Sequence, residues 1–275
     1  MISMTESKKG VRFENDIASR CVKLVACSDL RRNIISMLLE GKKPLSEIRE
    51  RLEIRSSTAI HALRELERDN IVLQHEDRDY GLTSIGKIIA KKVVDLTNTA
   101  EALKKHEEFW LNHDLTAIPE ELLYRIGELK DSHLLKIDPL SLPHKYFIEL
   151  LARSTCIKGI SPIFFEDYPK VFTKLLDRGV FVELILTKDV LKKVEEDVGE
   201  DYLRNKGNEG VLKIYALEDI KIAFTVTDTF LSLGLFKLDG TYDIAMDLVS
   251  QDNKALNWGL DLFNWYRSKA KKKYG

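Results

Sequence analysis

Residues 55–72, RSSTAIHALRELERDNIV, set small hydroxyl side chains and arginines beside a helical repeat of apolar ones. At about 100° per residue, Ile60, Leu63 and Leu66 fall to one side with Ala59. Ser57, Thr58, His61, Arg64, Glu65 and Arg68 fall opposite. Serine and threonine hydroxyls hydrogen-bond to bases or phosphates, arginine favours guanine or phosphate, and histidine does either. The same pattern suits a face that is merely solvated, and Glu65 counts toward that blander reading.

No other stretch offers a reaction. P-loop, GxSxG, HExxH and GxGxxG motifs are all absent. The six histidines, His61, His75, His106, His113, His133 and His144, all precede residue 145, and no CxxC occurs. The expectation is a protein that is not an enzyme, with no catalytic residue, no metal and no cofactor.

The elements that must position the 55–72 face are legible around it. SDLRRNIISMLLEG (28–41) starts at a Ser28 or Asp29 cap and carries a stripe of Leu30, Ile34, Ile35, Leu38 and Leu39. KKPLSEIRERL (42–52) restarts after Pro44 and buries Leu45, Ile48 and Leu52. A short turn leads into the third helix, with Ser56 as its N-cap. IVLQHEDRDYGLTSIGK (71–87) then reads as a hairpin with a charged tip, after which Thr83 caps a new helix. Three helices and a hairpin in this order are a winged helix-turn-helix, whose third helix meets base edges at its N-terminal end. The expected DNA-binding residues are Ser56, Ser57, Thr58, His61, Arg64 and Arg68 on that helix. Lys42, Lys43, Arg49 and Arg55 are expected near phosphates, and Arg78 at the wing tip near a neighbouring groove.

From Thr83 a helical pattern runs to about His113. Ile89, Val93, Leu96, Ala100, Leu103 and Trp110 make a seam suited to pairing two helices, and hence to a homodimer; a linker helix packed on its own domain is the other reading. PEELLYRIGEL (119–129) reads as a further amphipathic helix and DPLSLPH (138–144) as a linker. Beyond it, CIKGISPIFF (156–165), FVELILT (181–187) and VLKIYAL (211–217) read as strands. KIAFTVTDTFLSLGLFK (221–237) reads as two more, turning at Asp228–Thr229. Helices are expected over 168–179, 189–207 and 253–273. Strands separated by helices indicate an α/β domain. The divisions are 1–92 for a DNA-binding domain, 93–137 for a linking or dimerising segment, and 138–275 for an effector-binding domain.

The totals agree with this plan. The chain has 275 residues, 44% hydrophobic and 32% charged, enough for two core-forming domains. Residues 1–92 hold 18 Lys/Arg against 14 Asp/Glu, and residues 93–275 hold 25 against 30. A mildly basic front and an acidic rear are compatible with a nucleic-acid partner at the front. No apolar run has the length of a membrane span, and MISMTESKKG has no signal-peptide block, so a cytoplasmic protein with no membrane partner is expected. The cysteines, Cys21, Cys27 and Cys156, fit reduced thiols better than a disulfide framework; a redox pair of Cys21 and Cys27 stays open.

The sequence resembles archaeal winged-helix transcription regulators of the methanogenesis and filament-regulator type. SDLRRNIISMLLEG, SSTAIHALRELE and YGLTSIGK carry the resemblance in front; HKYFIELLARS, IKGISPIFFEDYP, VELILT, LGLFKLDGTYD and ALNWGLDLFNWY carry it behind. It implies a dimeric regulator of double-stranded operator DNA, with a rear domain like the phospholipase-D-like sensors of archaeal sugar-responsive regulators. Phospholipase-D catalysis uses HxKxxxxD, normally twice. With Asp228 on the motif's Asp, Lys221 stands at its His and Ala223 at its Lys, and no second copy exists. The resemblance therefore implies a phospholipase-D-like sandwich kept as a pocket without its reaction, with an effector expected among strand ends near Ser161, Thr187 and Asp228. A diverged phosphodiesterase or nuclease tethered to DNA, and a winged helix that binds protein, are the alternatives.

Overall fold

A computed structural model describes residues 16–136 and 145–275. The expected 138–144 linker and the N-terminal stretch MISMTESKKG lie outside the described residues. The chain forms two compact units that divide between Leu96 and Thr97.

The first unit contains α1 (Asp16–Ala26), α2 (Asp29–Leu38), α3 (Leu45–Arg51) and α4 (Ser56–Arg68), followed by strands β1 (Val72–Gln74) and β2 (Tyr80–Leu82). The cap of α2 is Ser28, whose Oγ accepts from the Arg31 amide. Ser56 is not the cap of α4: Arg55 holds that position without a side-chain bond, and Ser56 is the first helical residue. The buried stripe of α4 is also turned slightly from the expected one. Ala59, Ala62, Leu63 and Leu66 enter the core with Ile34, Ile35 and Ile48, while Ile60 is only half-buried. Two alanines let α4 approach its neighbours closely, which a stripe through Ile60 would prevent.

β1 and β2 pair antiparallel from Val72–Leu82 to Gln74–Tyr80. The chain then enters α5 (Ser84–Lys105) through a close approach. Thr83 Oγ1 donates to the Asn70 carbonyl at 2.6 Å and accepts the Gly86 amide at 2.9 Å. A Cβ on Gly86 would lie 1.9 Å from the Ile71 carbonyl oxygen. Only glycine lets the helix start against the hairpin.

The expected helix to His113 breaks at His106, whose backbone leaves helical geometry (φ −130°, ψ 44°). α6 (Glu107–Asn112), α7 (Glu120–Leu123), a 3₁₀ turn (Ile126–Leu129) and β3 (His133–Lys136) follow. Residues 97–136 do not form a separate linker: Phe109, Trp110, Leu122, Ile126 and Leu129 belong to the core of the second unit.

The rest of that unit is α8 (Lys145–Ala152), β4 (Cys156–Ser161), α9 (Tyr168–Asp177), β5 (Phe181–Leu186), α10 (Lys188–Val198), α11 (Glu200–Asn208), β6 (Leu212–Ala216), β7 (Ile222–Thr227), β8 (Leu231–Leu235), β9 (Met246–Ser250), α12 (Asn253–Arg267) and β10 (Lys271–Tyr274). Eight strands form one mixed sheet in the order β10-β6-β5-β4-β7-β8-β9-β3, with β4, β5 and β6 parallel. One face packs on α12 and the 97–129 segment, the other on α8 to α11.

Three departures from expectation have local causes. The helix expected over 189–207 is interrupted at Gly199, at φ 91°. The terminal helix stops at Arg267, and the basic residues after it form edge strand β10 beside β6. β9 was not expected, because Asp247 interrupts its apolar pattern. Substituting Gly86 by Ala is expected to destabilise the first unit by about 1–3 kcal/mol, since the obstacle is backbone; urea unfolding checks this, and an unchanged midpoint would refute the close-approach account.

Candidate functional site

The polar face of α4 is exposed as expected: Ser56, Ser57, Thr58, His61, Arg64 and Arg68 all face solvent. Its one acidic member is neutralised from behind, Arg31 Nη1 of α2 lying 2.7 Å from Glu65 Oε2. His61 Nδ1 lies 3.6 Å from the same carboxylate oxygen.

Ion pairing sorts the basic residues into two groups. Lys42 pairs with Asp77 of the hairpin loop, and the half-buried Lys43 sits 3.0 Å from Glu47. These two lysines serve the fold of the unit first. Arg49, Arg55, Arg64, Arg68 and Arg78 are exposed, and no described residue forms an ion pair or side-chain hydrogen bond with them. Unpaired guanidiniums keep their planar donor forks available for phosphate or guanine. Arg78 also holds φ at 69° in the hairpin loop, where glycine or asparagine would be less strained.

The expected dimer seam is divided. Ile89 and Val93 pack on the core of the first unit, and Leu103 and Trp110 on that of the second. Leu96 and Ala100 remain exposed, as do Ile85 and Ile88. Cys21, Cys27 and Cys156 are free thiols. Burial, aided by Asp69, pushes the Cys21 thiol up, which lowers its thiolate fraction and opposes redox use. Among the described residues no group of His, Cys, Asp or Glu is placed to hold a metal ion, and no helix is long and apolar enough to cross a membrane.

The three expected effector residues are not brought together. Thr187 caps α10, accepting the Val190 amide. Asp228 latches the β7–β8 turn to the start of β4, accepting from the Thr155 hydroxyl at 2.7 Å and from the Thr155 and Cys156 amides. Both are spent on structure. Ser161 alone lines a cavity, and its hydroxyl donates to the Ile163 carbonyl.

That cavity lies between the sheet and helices α8 to α11, with about 130 Å³ open to the centres of water molecules. Over β5 and β6 its floor is aliphatic, formed by Leu184, Leu186, Leu212 and Ile214; Phe147, Tyr168 and Phe172 wall it from the helices. Over β7, β8 and β9 the floor turns small and polar, with Ala223, Thr225, Ser232 and Asp247. Ser232 Oγ donates to Asp247 Oδ2 at 2.9 Å. Burial pushes the Asp247 carboxyl up to about 6, with Asp243 adding and the Ser232 bond opposing. Sequence reading missed this residue, although an aspartate inside the apolar run AMDLVS was the available signal.

Residues 19–101 match the N-terminal domain of the methanogenesis regulatory protein FilR1, and residues 140–269 match its middle domain. The chain thus carries two FilR1-family domains. It is 32% identical over 267 residues to the methanogenesis regulatory protein FilR1 of Methanothrix harundinacea, covering 94% of this chain but 59% of that one; the chain spans about three fifths of that relative's length. Among solved structures, the archaeal chromatin protein TrmBL2 has a TM-score of 0.43 at 20% identity, over 85% of this chain and 89% of that one. Phosphatidylserine synthase of Haemophilus influenzae has 0.37 at 15% identity, over 52% and 39%. Both likenesses are too weak to establish a shared fold.

In this FilR1-type chain the N-terminal match contains α4 and its hairpin, and the middle-domain match contains the cavity. Asp247 makes a pH-dependent prediction. Its folded-state pKa is raised above the unfolded value, so the folded protein holds its proton more tightly and stability falls as pH rises from about 4 to about 6. Asp247→Asn removes the buried charge and is therefore expected to stabilise the protein by about 1–2 kcal/mol near pH 7.5. The gain should vanish near pH 4. Urea titrations at both pH values measure it, and a loss of stability at the higher pH would contradict the buried-charge account.

Proposed function

We propose that this protein is a sequence-specific DNA-binding transcription regulator, with α2 to α4 and the β1–β2 hairpin acting as a winged helix. The observation that carries the reading is the exposed α4 face, on which Glu65 is neutralised by Arg31 while Arg64 and Arg68, like Arg49, Arg55 and Arg78 beyond that helix, have no ion-pair partner among the described residues. A face evolved only for solvation gains nothing from keeping its arginines free and its glutamate occupied. Ser56, Ser57, Thr58, His61 and Arg64 enter the major groove in this reading, Arg49, Arg55 and Arg68 flank the phosphates, and Arg78 reaches the adjacent groove. Lys42 and Lys43 contribute through their charge and through the position of the hairpin loop. The FilR1 relationship supports the regulatory role.

The second unit serves as the effector-binding domain, without catalysis. Under the phospholipase-D-like alignment, Lys221 and Ala223 replace the nucleophile and the phosphate clamp, and Asp228 is held by Thr155 and Cys156. A diverged phosphodiesterase lacks its reacting groups on that alignment.

Binding measured by gel shift with the gene's own upstream region should weaken steeply as salt rises, because phosphate contacts release counterions. Arg64→Ala should lose about 1–3 kcal/mol of specific binding. An Arg64→Ala protein with unchanged affinity and sequence preference would remove that residue from the recognition role, and salt-independent binding would remove the DNA reading.

The protein acts as a homodimer in this reading. Ile85, Ile88 and Leu96 fall on one side of α5 at about 100° per residue and are exposed by 59%, 66% and 64%, with Ala100 beside them. A second copy of the same helix is the occupant that two-fold reading of operator half-sites calls for. Leu96→Glu should shift sedimentation of the protein from dimer toward monomer; a monomeric wild type would refute the pairing.

A further inference from the structure

We propose that the cavity over the β7–β9 half of the sheet binds a small, mainly apolar molecule whose polar head is an amine or similar hydrogen-bond donor, received by Asp247. This rests on the reading of the second unit as an effector-binding domain and names the chemistry of its site.

The dimensions come first. Space of about 130 Å³ for water centres holds on the order of ten waters, hence an organic molecule of roughly ten non-hydrogen atoms. Aliphatic side chains of β5 and β6 and aromatic ones of α8 and α9 surround most of it, so the body of the ligand is apolar.

The polar groups gather at one end. Ser232 occupies only Oδ2 of Asp247, and no described residue donates to Oδ1. Tyr242 and Thr225 line the same end, and no described residue hydrogen-bonds to either side-chain hydroxyl. Gly234 of β8 faces this end: a Cβ there would lie 2.3 Å from the Tyr242 hydroxyl and 2.8 Å from Asp247 Oδ1. The polar end therefore depends on a residue with no side chain at that strand position.

Charge decides the head group. Among the described residues no lysine, arginine or histidine lines the cavity, so an anionic ligand would meet the carboxylate with no counter-charge from them. A donor satisfies the open Oδ1, and a cationic donor also gains from the aromatic faces of Phe147, Tyr168 and Phe172. Keeping a carboxylate in so apolar a wall is costly to the empty protein, and a ligand ammonium offsets that cost directly.

The test uses the full chain and a matched set of probes, 1-octylamine, 1-octanol and octanoate, near pH 7.5, by calorimetric titration and thermal shift. Octylamine is expected to bind at least about tenfold more tightly than octanoate, with octanol between them. In Asp247→Asn the amine and the carboxylate should bind within about threefold of each other. Ala223→Phe, which fills the cavity from β7, should abolish binding of all three. Octanoate binding as tightly as octylamine to the wild type, or no binding by any probe, overturns the proposal. So does unchanged binding to Ala223→Phe. The wild-type ordering decides the matter even if a variant fails to fold. A gel shift with and without octylamine separates the two readings: binding in the cavity with no change in DNA affinity removes the effector role and leaves the site standing.

Discussion

The mixed sheet of the second unit has to bury two faces with one set of strands, and the two faces are solved differently. Toward α12, Phe224, Val226, Leu231, Leu233 and Leu235 meet Trp258, Leu262 and Phe263, and the layers interdigitate. Gly259 makes this possible, since a Cβ there would stand 2.8 Å from a Leu231 methyl. Strand alternation then fixes what the same strands present on the opposite face. Those positions are Ala223, Thr225, Ser232, Gly234 and Asp247, too small or too polar to meet α8 to α11. A close-packed face and one that leaves a cavity over part of its area are thus two consequences of one register.

The first unit answers a similar constraint on a smaller scale. Burying Ala59, Ala62, Leu63 and Leu66 of α4 leaves the remainder of a 3.6-residue repeat to face outward. Helix α2 then does more than pack: Arg31 reaches across to Glu65 and also donates to the Leu24 carbonyl at 2.5 Å. The net effect is to leave α4 basic on its outer surface, with the Glu65 charge there settled. Fold and interface are linked here by one arginine, which belongs to neither the core nor the exposed face.

The order of elements in the first unit was legible from the sequence because each signal was local: the Ser28 cap, the Pro44 restart, the alternation after Ile71 and the Thr83 cap. The position of Ile60 was not, because the choice between an isoleucine and an alanine stripe depends on how closely neighbouring helices approach. In the second unit, β4 to β8 showed as apolar runs. β3, β9 and β10 did not: β3 is a four-residue edge strand, β9 carries Asp247 toward a cavity, and β10 is a lysine-rich edge strand. Ser161, Thr187 and Asp228 were sound as strand-end residues, yet hydrogen bonding commits the last two to a helix cap and a turn latch. The residue that sets the chemistry of the cavity sits in mid-strand, where polarity is visible in sequence but the cavity facing it is not.

Two local choices run against stability, one in each unit. Arg78 takes a left-handed backbone conformation in a hairpin loop where glycine would be at ease, and it does so with its guanidinium unpaired. Asp247 keeps a carboxylate against an aliphatic and aromatic wall with only Ser232 to hold it. Neither position is forced by packing: the loop would close with a glycine, and asparagine has the size of aspartate. Departures of this kind persist where another requirement outweighs the local penalty. The first places an unpaired cation in the hairpin loop, and the second places an acceptor at the end of an apolar cavity. The same physical argument, a side chain kept where stability alone would replace it, therefore points to both surfaces on which the regulatory reading depends.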